Sequence, residues 1–272
     1  MTNIDALAMK EKYSHYEHRI AKLDKKDNEF STKKFQKVRK DSKHKNLLKS
    51  LDKIGICLNE KPAASISIED LNKVCFLLIN DYHEEDKKLG VGPLNDGYLV
   101  ALNHFRLGYK IYYLYNSRSD EFPIILGFLI KHTKESLTVF YTGRDDNAEG
   151  IEFKTGHISK SFITDVIKSN YNEKSRTVFI ADSIGKGSVF NVDDCANIIS
   201  FSAKKPEPCE YKDIEQSHGI FTYYICKIIS EYPNITPNEL VERLNLSLVR
   251  FNEKFTYKFS NKKLAESPIF IN

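Results

Sequence analysis

Apolar residues recur along this chain at two different spacings, and the change from one to the other divides it. Over residues 4–23 the positions Ile4, Leu7, Tyr13, Tyr16, Ile20 and Leu23 fall largely at three- and four-residue steps with Lys and Glu between them. That is the spacing of an amphipathic helix. A second helical pattern covers residues 31–51, with Phe35, Val38, Leu47, Leu48 and Leu51 as its apolar positions and Ser31 as its N-cap. The pair reads as a helical hairpin. Residues 59–67, which contain Pro62, read as a linker. The expected organisation is a helical extension over 1–58, a linker over 59–67 and a main domain over 68–272.

In the main domain short apolar runs alternate with helical periods. Residues 74–79 form a continuous apolar run, the signature of a strand covered on both faces. A helix over 94–107, stopped by Gly108, leads to a strand over 109–114. A helix over 119–131 then leads to a strand over 137–141, and a helix over 159–169 to strands over 177–181 and 196–201. Two further helices are predicted over 219–231 and 237–255, and the Ser-Pro-Ile-Phe-Ile string ending at Ile271 reads as a last edge strand. Regular alternation predicts an α/β fold, a central mostly parallel sheet with right-handed crossovers and helices on both faces.

Composition narrows the function classes. With 272 residues and 41% apolar content the chain can bury a full core. No apolar run approaches the roughly 18 residues of a membrane span. The amino-terminal residues lack the basic-then-apolar order of a secretory signal, so the expected location is cytoplasmic, with no membrane partner. Five scattered cysteines, none in a CxxC pair, fit reduced thiols and give no structural zinc pattern. The net charge of +4 is uneven, because residues 1–50 hold 14 Lys or Arg against 7 Asp or Glu. Aromatic stacking positions and Gly-rich basic loops are missing there, which argues for a solvated helical face over a nucleic-acid surface.

Candidate chemistry gathers where two strands end. The 137–141 run is followed by Thr142-Gly143-Arg144-Asp145-Asp146, and the 177–181 run by Asp182-Ser183-Ile184-Gly185-Lys186-Gly187-Ser188. Both tails read as polar turns, and in a parallel sheet such ends meet at the carboxyl edge, where ligands bind. The Gly185-Lys186-Gly187-Ser188 string lacks P-loop spacing. Asp145-Asp146 and Asp193-Asp194 lack the spacing of a calcium loop, so no metal or other cofactor is expected.

These strings also resemble, in order, the motifs of the caspase-like cysteine peptidases, and metacaspases more than animal caspases. Ile79-Asn80-Asp81-Tyr82 is similar to the end of that family's first strand, and Asn95-Asp96 to the opening of its next helix. Phe140-Tyr141-Thr142-Gly143-Arg144-Asp145 is similar to Phe-Tyr-Ser-Gly-His-Gly. Asp182-Ser183-Ile184-Gly185-Lys186-Gly187 is similar to Asp-Ser/Cys-Cys-His-Ser-Gly, and Gly219-Ile-Phe-Thr-Tyr223 to a later helix start. The similarity spans residues 72–271 and implies a caspase-like sandwich.

It also implies a cysteine nucleophile and a histidine acid/base partner, but Ile184 and Arg144 stand at those positions. Isoleucine has no nucleophile, and an arginine that stays protonated is no base. The expectation is a pseudoenzyme that binds or regulates an active metacaspase homologue or another protein. The competing expectation is an active peptidase with Arg/Lys preference that uses an unrecognised thiol. Asp96 and Asp182 stand at the resemblance's two pocket carboxylates, with Thr142 and Ser183 beside them. They either form a pocket for a basic peptide residue or merely cap a helix and a strand end. In the first case Arg144 is expected to lie between the two acids as a bidentate plug. A slipped alignment would instead nominate His157 and Cys195, although Cys195 precedes a strand and does not follow one. His218 reads as a helix-start residue, and Cys75 and Cys226 as buried core thiols.

Overall fold

The computed structural model describes residues 33–82, 89–146, 150–184, 189–190, 195–204, 219–249 and 254–270. The chain divides into two units between Asn46 and Leu47, a boundary that falls within helix α1 (Lys33–Asp52). The helix expected over 4–23, its hairpin with the next helix, and Ser31 lie outside the described residues.

The second unit is built on one twisted sheet with these strands: β1 (Gly55–Cys57), β2 (Lys73–Ile79), β3 (Lys110–Tyr115), β4 (Ser136–Asp146), β5 (Gly150–Phe153), β6 (Gly156–Ser159), β7 (Arg176–Ile184), β8 (Ile198–Lys204) and β9 (Lys254–Phe259). The main path runs β1-β3-β2-β4-β7-β8-β9, with β5 and β6 as an antiparallel flap on β4. Every pair along it is parallel except β8 with β9. This is the mostly parallel α/β architecture that the alternating pattern predicts. Among the described residues no helix is long and apolar enough to cross a membrane.

Helices cover both faces. On one, α3 (Glu121–His132) and α4 (Lys160–Asn170) lay Phe122, Leu126, Leu129, Ile163 and Ile167 against Val74, Phe76, Leu78, Val139 and Phe179. On the other lie α2 (Gly92–Arg106), α5 (Ile220–Glu231) and α6 (Pro237–Leu248), with a short α7 (Lys262–Ala265) after β9. Because β2 is buried on both faces from Val74 to Ile79, that run is apolar throughout, and each such side chain contributes about 1.5–3 kcal/mol. Gly97 lets α2 approach β2 closely, since a Cβ there would stand 2.2 Å from the Ile79 side chain.

Several expectations change. The helix expected over 237–255 stops at Leu248, and the chain re-enters the sheet as β9. There Phe255, Tyr257 and Phe259 alternate with Lys254, Thr256 and Lys258, a period of two. Residues 267–270 are not a strand. Ile269 takes one hydrogen bond from its N–H to Ile235 O (2.9 Å), and Phe270 packs edge-on against His104 and Tyr109. The turns expected after Tyr141 and Ala181 are further ladder, since β4 and β7 stay paired to Arg144 and Ile184. The sheet also begins earlier than expected: β1 pairs with β3, and Leu58 and Ile66 belong to the core.

Candidate functional site at the carboxyl edge

The parallel ladder of β4 and β7 sets Thr142 opposite Asp182, Gly143 opposite Ser183, and Arg144 opposite Ile184. Successive side chains on a strand leave on opposite faces. Thr142, Arg144, Asp182 and Ile184 therefore share the α2/α5 face, while Ser183 and Asp145 share the α3/α4 face. The Ser183 hydroxyl donates to Asp145 Oδ2 (3.1 Å), and both residues are buried. Of the expected pocket residues, Asp96, Asp182 and Thr142 are brought to one place and Ser183 is not.

Asp96 reaches this face from α2 and Asp182 from β7, and both are almost fully buried at 4% and 3% exposure. Their described partners lie at the start of α5. The Gly219 N–H donates to Asp96 Oδ1 at 2.8 Å. The Thr222 N–H and hydroxyl both donate to Asp182 Oδ2, at 3.1 and 2.6 Å. Gly219 is the N-cap of α5 and has no side chain with which to satisfy the amide three residues on. Asp182 supplies that acceptor from another element. A Cβ on Gly219 would lie 2.0 Å from Asp182 Oδ2 and 3.1 Å from Asp96 Oδ2, so the two carboxylates close on a single point. Two such like charges repel in a buried site. The positive end of the helix, with its free N–H groups, offsets that repulsion.

Arg144 is half-buried. Its main chain is tied on both sides, the N–H donating to Tyr82 Oη at 3.1 Å and the carbonyl accepting from the Tyr141 hydroxyl. The Tyr82 hydroxyl in turn donates to Glu152 O (2.9 Å). Burial pushes the Tyr82 phenol well above its ordinary range, and the Arg144 main-chain hydrogen bond and the guanidinium charge partly oppose that shift. One step along the edge, Asp81 is fully buried and accepts from the Tyr115 hydroxyl (2.6 Å) and from Asn116 Nδ2 (2.7 Å). Asn116, at a left-handed φ of 45°, accepts through Oδ1 from the Asp81 N–H at 2.9 Å. This network fixes the carboxyl ends of β2 and β3 beside the site. The sequence gives no spacing from which it could be read.

Three of the four described thiols are buried, and the half-buried fourth, Cys57, donates to Asn59 Oδ1 at 3.3 Å. Cys75 and Cys226 are buried, and burial first of all holds both thiols well above their ordinary range, with the Asp96 charge adding to the shift at Cys226. Cys195 packs in the core on the α3/α4 side, and His157 is exposed on β6. Cys209, His218, the 185–188 string and Asp193-Asp194 lie outside the described residues. Among the described residues no group of three or more His, Cys, Asp or Glu side chains stands close enough to hold a metal ion.

No family model and no curated protein matches the sequence. The fold does have solved relatives. The chain is similar to pro-sf-caspase-1 (TM-score 0.57, 9% identity, 70% of this chain and 88% of that one). It is similar to caspase-1 from Spodoptera frugiperda (0.54, 11%, 70% and 88%). The Drosophila initiator caspase Dronc is also similar (0.52, 14%, 70% and 80%). At these identities the likeness establishes a caspase-like fold.

Proposed function

We infer that this caspase-fold chain is a catalytically silent relative of the cysteine peptidases and acts by binding. The observation that carries the reading is the register of β4 and β7. The positions that resemble the peptidase dyad are directly paired in the ladder, and they hold Arg144 and Ile184. Peptide hydrolysis through a thiolate needs a nucleophilic sulfur and a group that takes and returns a proton near neutral pH. An alkyl side chain and a guanidinium supply neither.

The partners that the sequence raises make different demands on this geometry. A basic peptide residue entering between Asp96 and Asp182 has to compete with the Gly219 and Thr222 donors, which already hydrogen-bond both acids. This favours a protein partner that meets the folded surface, such as an active metacaspase homologue, over a free basic peptide.

The test is turnover of Arg- and Lys-peptide substrates by the purified chain, with and without calcium. No cleavage is expected, and none from Ile184→Cys alone. Only the double change with Arg144→His brings both chemical groups to the paired positions. Turnover by the unmodified protein that disappears on Cys209→Ala would replace this reading with that of an active peptidase.

A further inference from the structure

At the opposite, amino-terminal edge of the sheet lies an open cavity of about 550 Å³, lined by Arg176, Asn197, Asn261, Lys262, Lys263, Leu264 and Ser267. Three of the seven lining residues are cations, three are uncharged polar groups and none is acidic. Arg176 opens β7, Asn197 immediately precedes β8, and Asn261 caps α7 beyond the end of β9. These positions come together because β9 runs antiparallel to β8, which brings its last residue, Phe259, beside Ile199 at the start of β8. Along β7 the cavity's Arg176 stands six residues before Asp182, about 20 Å of strand.

Arg176 is half-buried, and its guanidinium is bound by neutral acceptors. Nη1 donates to Pro268 O and, at 3.5 Å, to Ile269 O, while Nη2 donates to the Ser267 hydroxyl at 3.2 Å. A partly desolvated cation is stabilised fully only by a counter-charge. The other residues that line the cavity add two more positive charges, Lys262 and Lys263. Burial draws the Arg176 guanidinium below its ordinary range, and Tyr109 partly opposes that shift.

We propose that this cavity is a binding site for the phosphate group of a small molecule. Arg176 presents a fixed planar cation. Lys262 and Lys263 are exposed and free to swing onto a dianion. Asn197 and Asn261 add uncharged polar groups to the wall, and the volume beyond the anion leaves room for an organic body. The proposal is independent of whether the chain hydrolyses peptides.

The experiment is thermal unfolding of the full chain against inorganic phosphate up to 10 mM, with sodium chloride at matched ionic strength and sodium acetate as controls. A saturable rise in Tm is expected with phosphate alone, about 3–6 °C at tenfold excess over Kd. The Lys262→Glu/Lys263→Glu chain, altered only at exposed positions, is expected to lose it. Arg176→Lys is expected to weaken it and serves as the second probe, because deleting the side chain also releases Pro268 and Ile269. No rise beyond the chloride control overturns the proposal, as does an equal rise in the double variant. A rise as large with acetate overturns the assignment to phosphate.

Discussion

Gly219 decides more at this site than either acid does. Its missing side chain lets Asp96 and Asp182 approach the α5 N-terminus, and its own inability to cap leaves the Thr222 amide for Asp182. Gly219→Ala places a methyl 2.0 Å from a carboxylate oxygen that Thr222 holds in place. Overpacking of this kind costs about 1–3 kcal/mol, and the urea midpoint should fall accordingly. Thr222→Val keeps the shape but removes the hydroxyl from a buried carboxylate, at a cost of about 1.5–3 kcal/mol. If both variants unfold with wild-type midpoints, the carboxylates do not depend on α5 and the displacement argument against basic peptides fails. Two acids at resemblance positions are legible in a sequence as a pocket or as caps. The hydrogen bonds from the start of α5 to both acids were not legible, because the donors sit some forty and more than a hundred residues downstream, at Thr222 and Gly219, and no local spacing reports such a pairing.

Elements whose side chains follow one period were legible from the chain alone, and those that depend on a distant partner were not. The continuous apolar run of β2 and the periodic faces of α3 and α4 are both carried by local sequence. β1, β5 and β6 span only three or four residues, too short to show a period, and exist because a neighbouring ladder accepts them. β9 was hidden by the helix before it, since Phe255 also fits the helical step. The polar continuations of β4 and β7 look like turns and are strands because each completes the other. The far end of α2 shows how such elements are locked together. There His104 is fully buried, its Nδ1 bonded to Val100 O at 2.9 Å and its ring set edge-on to Tyr109 from the start of β3 and to Phe270 from the tail. Burial lowers its pKa from 6.5 to about 4. The unfolded chain therefore binds this proton more readily than the folded one. The contribution to stability is complete above pH 6.5 and is lost as pH falls toward 4. Between pH 7 and pH 5 the loss is about 2 kcal/mol. Urea unfolding of His104→Phe beside the parent should show a shallower decline over that interval. Parallel declines would mean that other groups carry the acid sensitivity.

At the scale of the whole molecule the question is where the sheet-bearing unit begins, because a sequence reading that follows composition and linker chemistry places that start at residue 59 or later. The physical criterion is what the sheet and core use. β1 at Gly55–Cys57 pairs with the outer edge of β3. Leu51 and Leu58 are 0% and 2% exposed, and the Leu58 N–H donates to Tyr113 O (2.9 Å), continuing the ladder beyond β1. The basic charge of the first fifty residues says nothing about these contacts, since they are made by residues 51–58, just beyond that stretch. Two truncations separate the alternatives. A chain starting at residue 47 retains Leu51, β1 and Leu58, and should unfold cooperatively with the stability of its sheet intact. A chain starting at residue 59 lacks both leucines and exposes the β3 edge. Removing a buried leucine costs about 2–5 kcal/mol, so the second chain should lose at least about 4 kcal/mol, a large share of the roughly 5–15 kcal/mol by which domains are stable. Guanidinium unfolding of the two chains side by side is the measurement. Equal midpoints would return the boundary to residue 58 and leave β1 an ornament of the sheet. A drop confined to the shorter chain makes residues 47–58 its first structural element.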